Sequence, residues 1–530
     1  LELVAVDESN TRMRPERIAR EIAAAGAGMV MLVGVQSNQF PRALDIARRL
    51  RRQGVTVGIG GFHVSGTLAM LPGIEPNVQK ALDLGCFVFA GEAEEGRLVE
   101  VIRDAIGGTL KPLYNFMDDL PALEGAPTPH LPAAVVTRTF GANSSFDAGR
   151  GCPFQCSFCT IINVQGRRSR RRTPDDIEQI IRDNHAQGIV RYFITDDNFA
   201  RNKDWEAIFD RLIWLREDQK IPIRMIIQVD TLCHRLPNFI EKAARAGVRR
   251  VFIGLENISP DNLIAAKKRQ NKITEYRRML LAWKAAKVTT YCGYITGFPA
   301  DTPERIARDV ETVKRELPVD ILEFFYLTPL PGSEDHKTLF EKGVWMDPDL
   351  NKYDLNHACA HHASMSIAEW DEAYMAAWRS FYSREHVATV LRRAAATRNS
   401  VGKILFLLGW FMGAIHIERL HPLECGLGRR KVRRDRRPEL GLESPLVFYP
   451  RYWTEFAVKL ARWAGVYAQF WALYYQVKHD PNRLDYMDAA LHPVEDDEEE
   501  ELALFQTEEA KSFVVQQRHF REIRESAKAH

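Results

Sequence analysis

The sequence predicts an α/β protein in three parts. These are a doubly wound, Rossmann-like N-terminal domain, a partial (β/α)6 barrel and a mainly helical C-terminal region. Three observations predict it. Apolar strand-like runs alternate with amphipathic helical runs through residues 1–125, and the alternation resumes over residues 144–330. A stretch rich in Pro, Ala and Thr, residues 111–143, separates the two series and reads as having little regular structure. From residue 366 onward helical patterns rich in Trp, Tyr and Arg replace the strands. The expected boundaries are 1–125, a linker at 126–143, the barrel at 144–365 and the helical domain at 366–530.

In the first part, residues 1–7 read as a strand. The first residue is Leu rather than Met, so the sequence is expected to begin inside this domain. Residues 29–35 form a buried strand followed by Gln36, Ser37 and Asn38. Residues 41–52 form an amphipathic helix with a basic face. Residues 55–59 form a strand that ends in Gly60-Gly61-Phe62-His63-Val64-Ser65-Gly66, and residues 86–90 form another that ends in Gly91-Glu92. A helix over 94–106 follows. Doubly wound sheets bind ligands at the carboxyl ends of their strands, which is where these polar and glycine-rich segments fall.

The barrel strands are expected at 144–147, 190–195, 224–229, 250–254, 289–295 and 321–327. Thr173-Pro174-Asp175-Asp176 and Asp301-Thr302-Pro303-Glu304 each place a capping Thr before a Pro at the first helical position. Chemistry in such barrels sits at the carboxyl ends of the strands.

At 530 residues the chain has room for two to four domains, and a net charge of +2 gives no global field directed at nucleic acid. No secretory leader is visible. The longest apolar run, 404–417, is short and broken by Gly for a membrane span. The eight cysteines fit a reducing, cytoplasmic compartment.

Three of those cysteines carry the chemistry. Cys152, Cys156 and Cys159 lie in Gly149-Arg150-Gly151-Cys152-Pro153-Phe154-Gln155-Cys156-Ser157-Phe158-Cys159, a C-x3-C-x2-C spacing directly after the first barrel strand. Three thiolates on one tight loop can ligate three irons of a 4Fe–4S cluster and leave the fourth iron open. A structural zinc site wants four ligands, usually as two pairs, and no second C-x2-C occurs. Cys86, Cys233, Cys292, Cys359 and Cys425 are isolated, which speaks against a disulfide framework.

With this motif the chain resembles the radical S-adenosylmethionine (SAM) enzymes over residues 144–335. The resemblance implies that SAM binds the open iron through its amino and carboxylate groups. Reduction then cleaves SAM to methionine and a 5′-deoxyadenosyl radical, which takes hydrogen from an unactivated carbon. It also implies SAM contacts at Phe158, at Asp196, Asp197 and Asn198 after the second strand, at Gln228 and Asp230 after the third, at Glu256 after the fourth and at Gly297 after the fifth. Each of these is otherwise a satisfied polar residue in a barrel loop.

The N-terminal part resembles the cobalamin-binding domain that precedes the barrel in one large class of these enzymes. The corrin contacts this implies are Gln36, Ser37, Asn38, Gly60, Gly61, His63, Val64, Ser65, Gly91 and Glu92. No D-x-H-x-x-G motif is present, so His63 is not assigned to cobalt. The implied reaction is methylation of an unactivated carbon, with one SAM supplying the methyl group through methylcobalamin and a second supplying the radical. The alternatives are ring closure, rearrangement or oxidation without methyl transfer, or a non-catalytic iron–sulfur protein. Expected partners are a small-molecule substrate, apolar or lipid-like, and an electron donor such as flavodoxin or ferredoxin; no nucleic acid is expected.

Several features stay open at this level. His357-Ala358-Cys359-Ala360-His361-His362 has metal-ligand residue types without a complete set. Cys292 and Tyr294 share one strand face, toward either the core or the barrel interior. Arg167-Arg168-Ser169-Arg170-Arg171-Arg172 is an anion site or a solvated run. Leu405 to Phe411, the basic run Arg429 to Arg437 and the aromatic helix 453–475 suit either a packed helical layer or a peripheral membrane contact. An acidic run, Glu495 to Glu501, leads into a charged helix.

Overall fold

The computed structural model describes residues 2–493 apart from 9–10, 140, 428–430 and 438–439. The acidic run from Glu495, the helix expected after it, and Arg429 and Arg430 of the basic run lie outside the described residues. By compactness the chain divides into two units. The first runs to Gln228 and adds Arg245–Val248 and Thr328–Asp354. The second holds Val229–Ala244, Arg249–Leu327 and the chain from Leu355 onward. Compactness therefore does not separate residues 1–125 from the first barrel strands.

The first unit opens with four parallel strands, β1 (Met29–Leu32), β2 (Thr56–Gly60), β3 (Phe87–Ala90) and β4 (Leu113–Asn115). Helices Phe40–Arg51, Phe62–Met70, Pro76–Asp83 and Arg97–Gly107 lie between them in sequence. Phe87, Phe89, Val101 and Tyr114 form its core, so β3, β4 and the last helix bury one shared apolar cluster.

Four expectations change here. Residues 2–8 form no strand. The strands run in the order β1-β2-β3-β4. A doubly wound sheet reverses its order at a switch point, and the described strands show no reversal. The stretch expected to lack regular structure supplies β4 and a short helix, Ala133–Val136. His63, Val64 and Ser65 lie in the first turn of Phe62–Met70 rather than in a loop.

The second series follows the sequence closely. β5 (Ser144–Phe146) leads into an antiparallel ribbon, β6 (Gly149–Arg150) with β7 (Arg170–Arg171), which the sequence did not suggest. Then come β8 (Arg191–Ile194), β9 (Arg224–Val229), β10 (Val248–Glu256), β11 (Thr289–Thr296) and β12 (Ile321–Tyr326). The sheet order is β12-β11-β10-β9-β8-β5, and the β5–β8, β8–β9, β10–β11 and β11–β12 pairs are parallel. All six expected strands are present.

Both expected caps form. Thr173 and Asp176 exchange backbone and side-chain bonds in a capping box, and the Thr302 hydroxyl accepts from Arg305 N. In the second unit, buried Arg393 donates to the carbonyls of Lys314 and Leu317, closing the carboxyl end of helix Pro303–Glu316. It thereby ties helix Arg384–Ala396 to the barrel layer; the other C-terminal helices are Ile367–Phe381, Val401–Gly413 and Pro445–His479. The stretch Val401–Glu418 is long and apolar enough to cross a membrane by length and composition, and most of it is buried, as in a core helix.

Candidate active site

The cysteine loop is shaped by glycine and by one carboxylate. Gly151 has φ +89°, and a Cβ there would lie 2.4 Å from the Arg168 carbonyl, so no other residue fits without displacing backbone. Cys152 N donates to Gly166 O at 3.2 Å and Cys159 N to Cys156 O at 3.1 Å. Burial, and next the neighbouring Cys156, push the Cys159 thiol up to about 12. A thiolate at such a place requires local positive charge, which cluster irons supply. Among the described residues no three His, Cys, Asp or Glu side chains gather as tightly as one metal ion needs. Three thiols on one tight loop are the arrangement with which a cluster is held, each thiolate taking a different iron.

Asp196 is buried behind this loop. Its Oδ1 accepts from Ala148 N at 2.7 Å and Gly149 N at 2.8 Å, and its Oδ2 accepts from Asn202 at 3.2 Å. Burial pushes its carboxyl up to about 7 against those bonds. Both oxygens are therefore engaged in holding the segment that leads into Cys152. Asp197 differs: by residue surface it is exposed, although burial around its carboxyl pushes it up to about 6 against a bond from its own backbone amide, and it acts electrostatically on Cys159. Asn198 is buried nearby, and Gln228 donates to Asp196 O at 3.3 Å. Phe158 is half-buried within the loop.

A charge network joins this loop to the end of β3. Arg150, two residues before Cys152, bonds Glu92 at 2.5 Å, Glu94 at 2.7 Å and Asp147 at 2.8 Å. Arg170 grips the same Glu92 carboxylate at 2.5 and 2.9 Å. Buried Arg172 bonds Asp147 and the Ala126 carbonyl, and Arg171 pairs with Asp204. Three arginines of the 167–172 run thus serve internal pairing, neither a solvated face nor an open anion site.

The other strand ends of the first sheet are cross-tied. The Ser65 hydroxyl accepts from Gly91 N at 3.0 Å, and His63 Nδ1 lies 3.1 Å from Ser37 Oγ. Gln36 heads the short 3-10 turn Ser37–Gln39, which includes Asn38, and its N donates to the Gln39 side chain. Gly60 and Gly61 join β2 to its helix; Gly61 has φ +139°, and a Cβ there would strike Val35 N at 2.1 Å. Val64 is fully buried. His63 is turned inward, with Nε2 3.5 Å from Glu75 and its ring against Phe40. Although burial opposes it, His63 and the amides of Asn77 and Val78 hold the Glu75 carboxyl below its ordinary value. For a corrin at this edge, small residues and left-handed glycines fit, and His63 does not reach outward as a ligand.

In the second unit, Asp230 Oδ1 accepts from Leu232 N at 2.8 Å. Glu256 sits at a break in the β10–β11 register with φ +64° and pairs with Lys268. Gly297 N donates to Asp301 at 2.8 Å, and a Cβ on Gly297 would overlap the Trp370 ring. Cys292 and Tyr294 are fully buried, with Tyr294 OH on Asp309 of helix Pro303–Glu316, so the core reading holds. His362 is engaged through both nitrogens, by Phe298 O and by Ser364 N and Met365 N, and is not a ligand.

Glu323 and Tyr291 are not marked by any motif in the sequence. They lie on the opposite face of β11 and β12 from Cys292, both buried; among the described residues Glu323 Oε2 has no hydrogen-bond partner, and the Tyr291 hydroxyl makes no well-formed bond although the Arg250 side chain lies near it. Burial alone pushes the Glu323 carboxyl up to about 8. A Glu inside an otherwise apolar strand, Ile321-Leu322-Glu323-Phe324-Phe325-Tyr326, was the available signal.

The thiol triplet after the first strand of this parallel α/β sheet lies inside the stretch that a known family matches. Residues 148–313 match the Radical SAM superfamily model, so the chain carries a radical SAM domain, of a class of enzymes that use an iron–sulfur cluster and SAM. It is 27% identical over 346 residues to the bacteriochlorophyllide d C-8(2)-methyltransferase of Chlorobaculum tepidum, covering 62% of this chain and 72% of that protein. It is 25% identical over 405 residues to the hopanoid C-2 methylase of Rhodopseudomonas palustris, covering 74% of this chain and 72% of that protein. The solved structure of the cobalamin-dependent SAM radical enzyme OxsB, with aqua-cobalamin and SAM bound, matches with a TM-score of 0.52 at 14% identity. It covers 91% of this chain and 76% of its own, which shows a shared fold.

Proposed function

We propose that this enzyme is a cobalamin-dependent radical SAM methyltransferase that places a methyl group on an unactivated carbon of an apolar small molecule. Cys152, Cys156 and Cys159 would hold the 4Fe–4S cluster. Asp197, with its unengaged carboxylate beside Cys159, would take the cationic amine of SAM. Phe158, Asn198, Gln228, Asp230, Glu256 and Gly297 complete the proposed SAM surroundings. The corrin would lie on the carboxyl ends of β1, β2 and β3, in a Rossmann-like domain of residues 1–125. The linker, barrel and helical domain would be 126–143, 144–365 and 366–530.

When bound, the reduced cluster with SAM supplies a radical that removes hydrogen, and the corrin supplies the methyl group. The chain's own residues hold and orient. Asp196 fixes the amides of Ala148 and Gly149, Arg150 fixes the cysteine loop against Glu92, and Gly151 lets the loop turn. Inward-facing His63 supports a cobalt without a His ligand.

The observation that carries the reading is the bonded path from the end of β3 through Glu92 and Arg150 to Cys152. It joins the proposed corrin edge to the proposed cluster loop within one compact unit. The methylases of bacteriochlorophyllide and hopanoid among the relatives support both methyl transfer and an apolar substrate. An electron donor of flavodoxin or ferredoxin type and a reducing, cytoplasmic compartment belong to the same proposal.

Protein purified without oxygen is expected to show cluster and corrin absorption together. With SAM and reductant it is expected to form S-adenosylhomocysteine alongside 5′-deoxyadenosine. 5′-Deoxyadenosine alone would favour ring closure, rearrangement or oxidation. A Cys156→Ala variant that kept full SAM cleavage would sink the cluster assignment.

A further inference from the structure

The turn after β11 is held from two sides, and one of them lies outside the stretch that the family model matches. Thr296-Gly297-Phe298-Pro299 leaves the strand with Gly297 at φ +97°. From the barrel side, fully buried Asp301 accepts from Gly297 N at 2.8 Å and from Phe298 N at 3.0 Å. Its other oxygen accepts from Asn262 at 2.6 Å. One carboxylate thereby fixes two successive backbone amides.

From the other side comes the segment that follows the barrel. Ser366 and Glu369 form a capping box that starts helix Ile367–Phe381 and puts Trp370 in its first turn. The Trp370 ring takes the place of a side chain on Gly297, where a Cβ would lie 1.8 Å from Cζ2. Its indole N–H donates to the Thr296 hydroxyl at 3.2 Å. His362 packs beside it, with ring centroids 5.4 Å apart. His362 Nδ1 accepts from Ser364 N and Met365 N, each at 3.1 Å. The ring proton is therefore on Nε2, which donates to Phe298 O at 2.9 Å.

These bonds leave one backbone group of the pair over. Phe298 O also accepts from Asp301 N at 2.8 Å, whereas among the described residues the Gly297 carbonyl accepts no hydrogen bond, although Gly297 is buried. Buried carbonyls are nearly always paired, so an open one on a turn held this firmly is a ready acceptor for a ligand N–H. The adenine amino group of SAM is such a donor.

We propose that Trp370 and His362 are positioning residues for SAM: they hold the Gly297–Phe298 turn so that the Gly297 carbonyl meets the adenine amino group. The proposal rests on the reading that puts SAM at Gly297, and it makes SAM affinity depend on the C-terminal helical region. Both residues act through the turn and not on SAM itself. The test is equilibrium dialysis of SAM against full-length protein carrying its cluster, with urea denaturation of the same samples. Trp370→Leu is expected to weaken SAM binding roughly tenfold, about the size of one lost hydrogen bond. Trp378→Leu, further along the same helix and fully buried against Phe324, is expected to lower stability comparably and leave SAM binding unchanged. His362→Leu should weaken binding in the same way, and His362→Gln, whose amide keeps a donor for Phe298 O, should restore most of it. If Trp370→Leu does not fold, the two His362 variants decide. SAM binding as tight in Trp370→Leu and His362→Leu as in the unaltered chain overturns the proposal. So does an equal loss in Trp378→Leu, because the effect is then a general loosening of the helical layer. No SAM binding by the unaltered, cluster-loaded chain overturns the proposed function itself, and this proposal with it.

Discussion

The frame behind the cysteine loop holds half-buried carboxylates and the last barrel strand a fully buried one, and they treat them in opposite ways. Around Arg150, every carboxylate named has a cation: Glu92 has two, and Glu94 and Asp147 share Arg150. On β12, Glu323 is buried, and among the described residues it has no paired cation and no hydrogen bond to Oε2. Paired buried charges fix geometry, because removing one partner strands the other. An unpaired buried carboxyl fixes nothing by charge; it stays protonated and makes its surroundings sensitive to pH. The first arrangement belongs where two ends of chain must keep their separation. The second stores a cost that a suitable substitution releases.

The largest expected effect breaks the paired side. Arg150→Met keeps much of the side chain's volume but leaves Glu92, Glu94 and Asp147 with reduced compensation. A loss of roughly 2–3 kcal/mol is expected, at or below the low end of the range for removing one partner of a fully buried pair, because Arg150 and its partners are half-buried. Urea denaturation of the variant and the unaltered chain measures it. Glu92→Gln should cost less, because Arg150 retains Asp147 and Glu94 while Arg170 retains the carbonyls of Pro121 and Gln165. Equal and small losses for both variants would mean that the network is a screened surface feature, and the contrast with Glu323 would collapse.

How far the sequence foretold these two regions follows from the range of the forces involved. β5, β8, β9 and β10 were legible because burial alternates along them; in β10, Val251, Ile253 and Leu255 are buried while Phe252 and Gly254 are half-open. β11 and β12 are buried almost throughout and were legible as short, largely apolar runs. The caps at Thr173 and Thr302 were legible because a cap is a contact between residues three apart. The Glu92–Arg150 bond spans 58 positions, and nothing local marks either residue as the other's partner. β4 is only three residues long and lies among prolines, so its strand character comes from pairing with β3. The sequential strand order of the first sheet likewise depends on pairing and not on pattern. Asp196 and Asp197 are adjacent and chemically identical; only the fold decides that the first binds the Ala148 and Gly149 amides and the second is left unengaged.

The unpaired side is sharpened by pH. The Glu323 carboxyl is raised from 4.5 to about 8 by burial. Between those values the folded chain keeps the proton and the unfolded chain releases it, so the unfolded state binds fewer protons. Stability from this group is therefore fullest below about pH 4.5, falls as pH rises, and levels off above about pH 8. Glu323→Gln keeps shape and polarity but removes the titration. Unfolding midpoints at pH 6 and pH 8.5 should fall less in Glu323→Gln than in the unaltered chain, by a difference on the order of 2 kcal/mol. Asp309, raised to about 7 chiefly by burial and next by Asp301, gives a fall of the same sign in both proteins, so the difference between them is the measurement. Identical pH slopes would mean that Glu323 finds a partner in solution.

The smallest effect calibrates the other two. Thr173 caps helix Pro174–Ala186, accepting from Asp176 N at 3.1 Å while the Asp176 carboxylate accepts from Thr173 N at 2.9 Å. Thr173→Ala removes one of these bonds and leaves no stranded charge. About 1 kcal/mol should be lost, independent of pH over the range where Glu323 titrates. The same urea series at pH 6 and pH 8.5 then separates three behaviours: a large loss for Arg150→Met, a pH-dependent gain for Glu323→Gln, and a small constant loss for Thr173→Ala. If Thr173→Ala cost as much as Arg150→Met, the ion network would be worth no more than a single cap. The fixed spacing between β3 and the cysteine loop would then have to come from packing rather than charge.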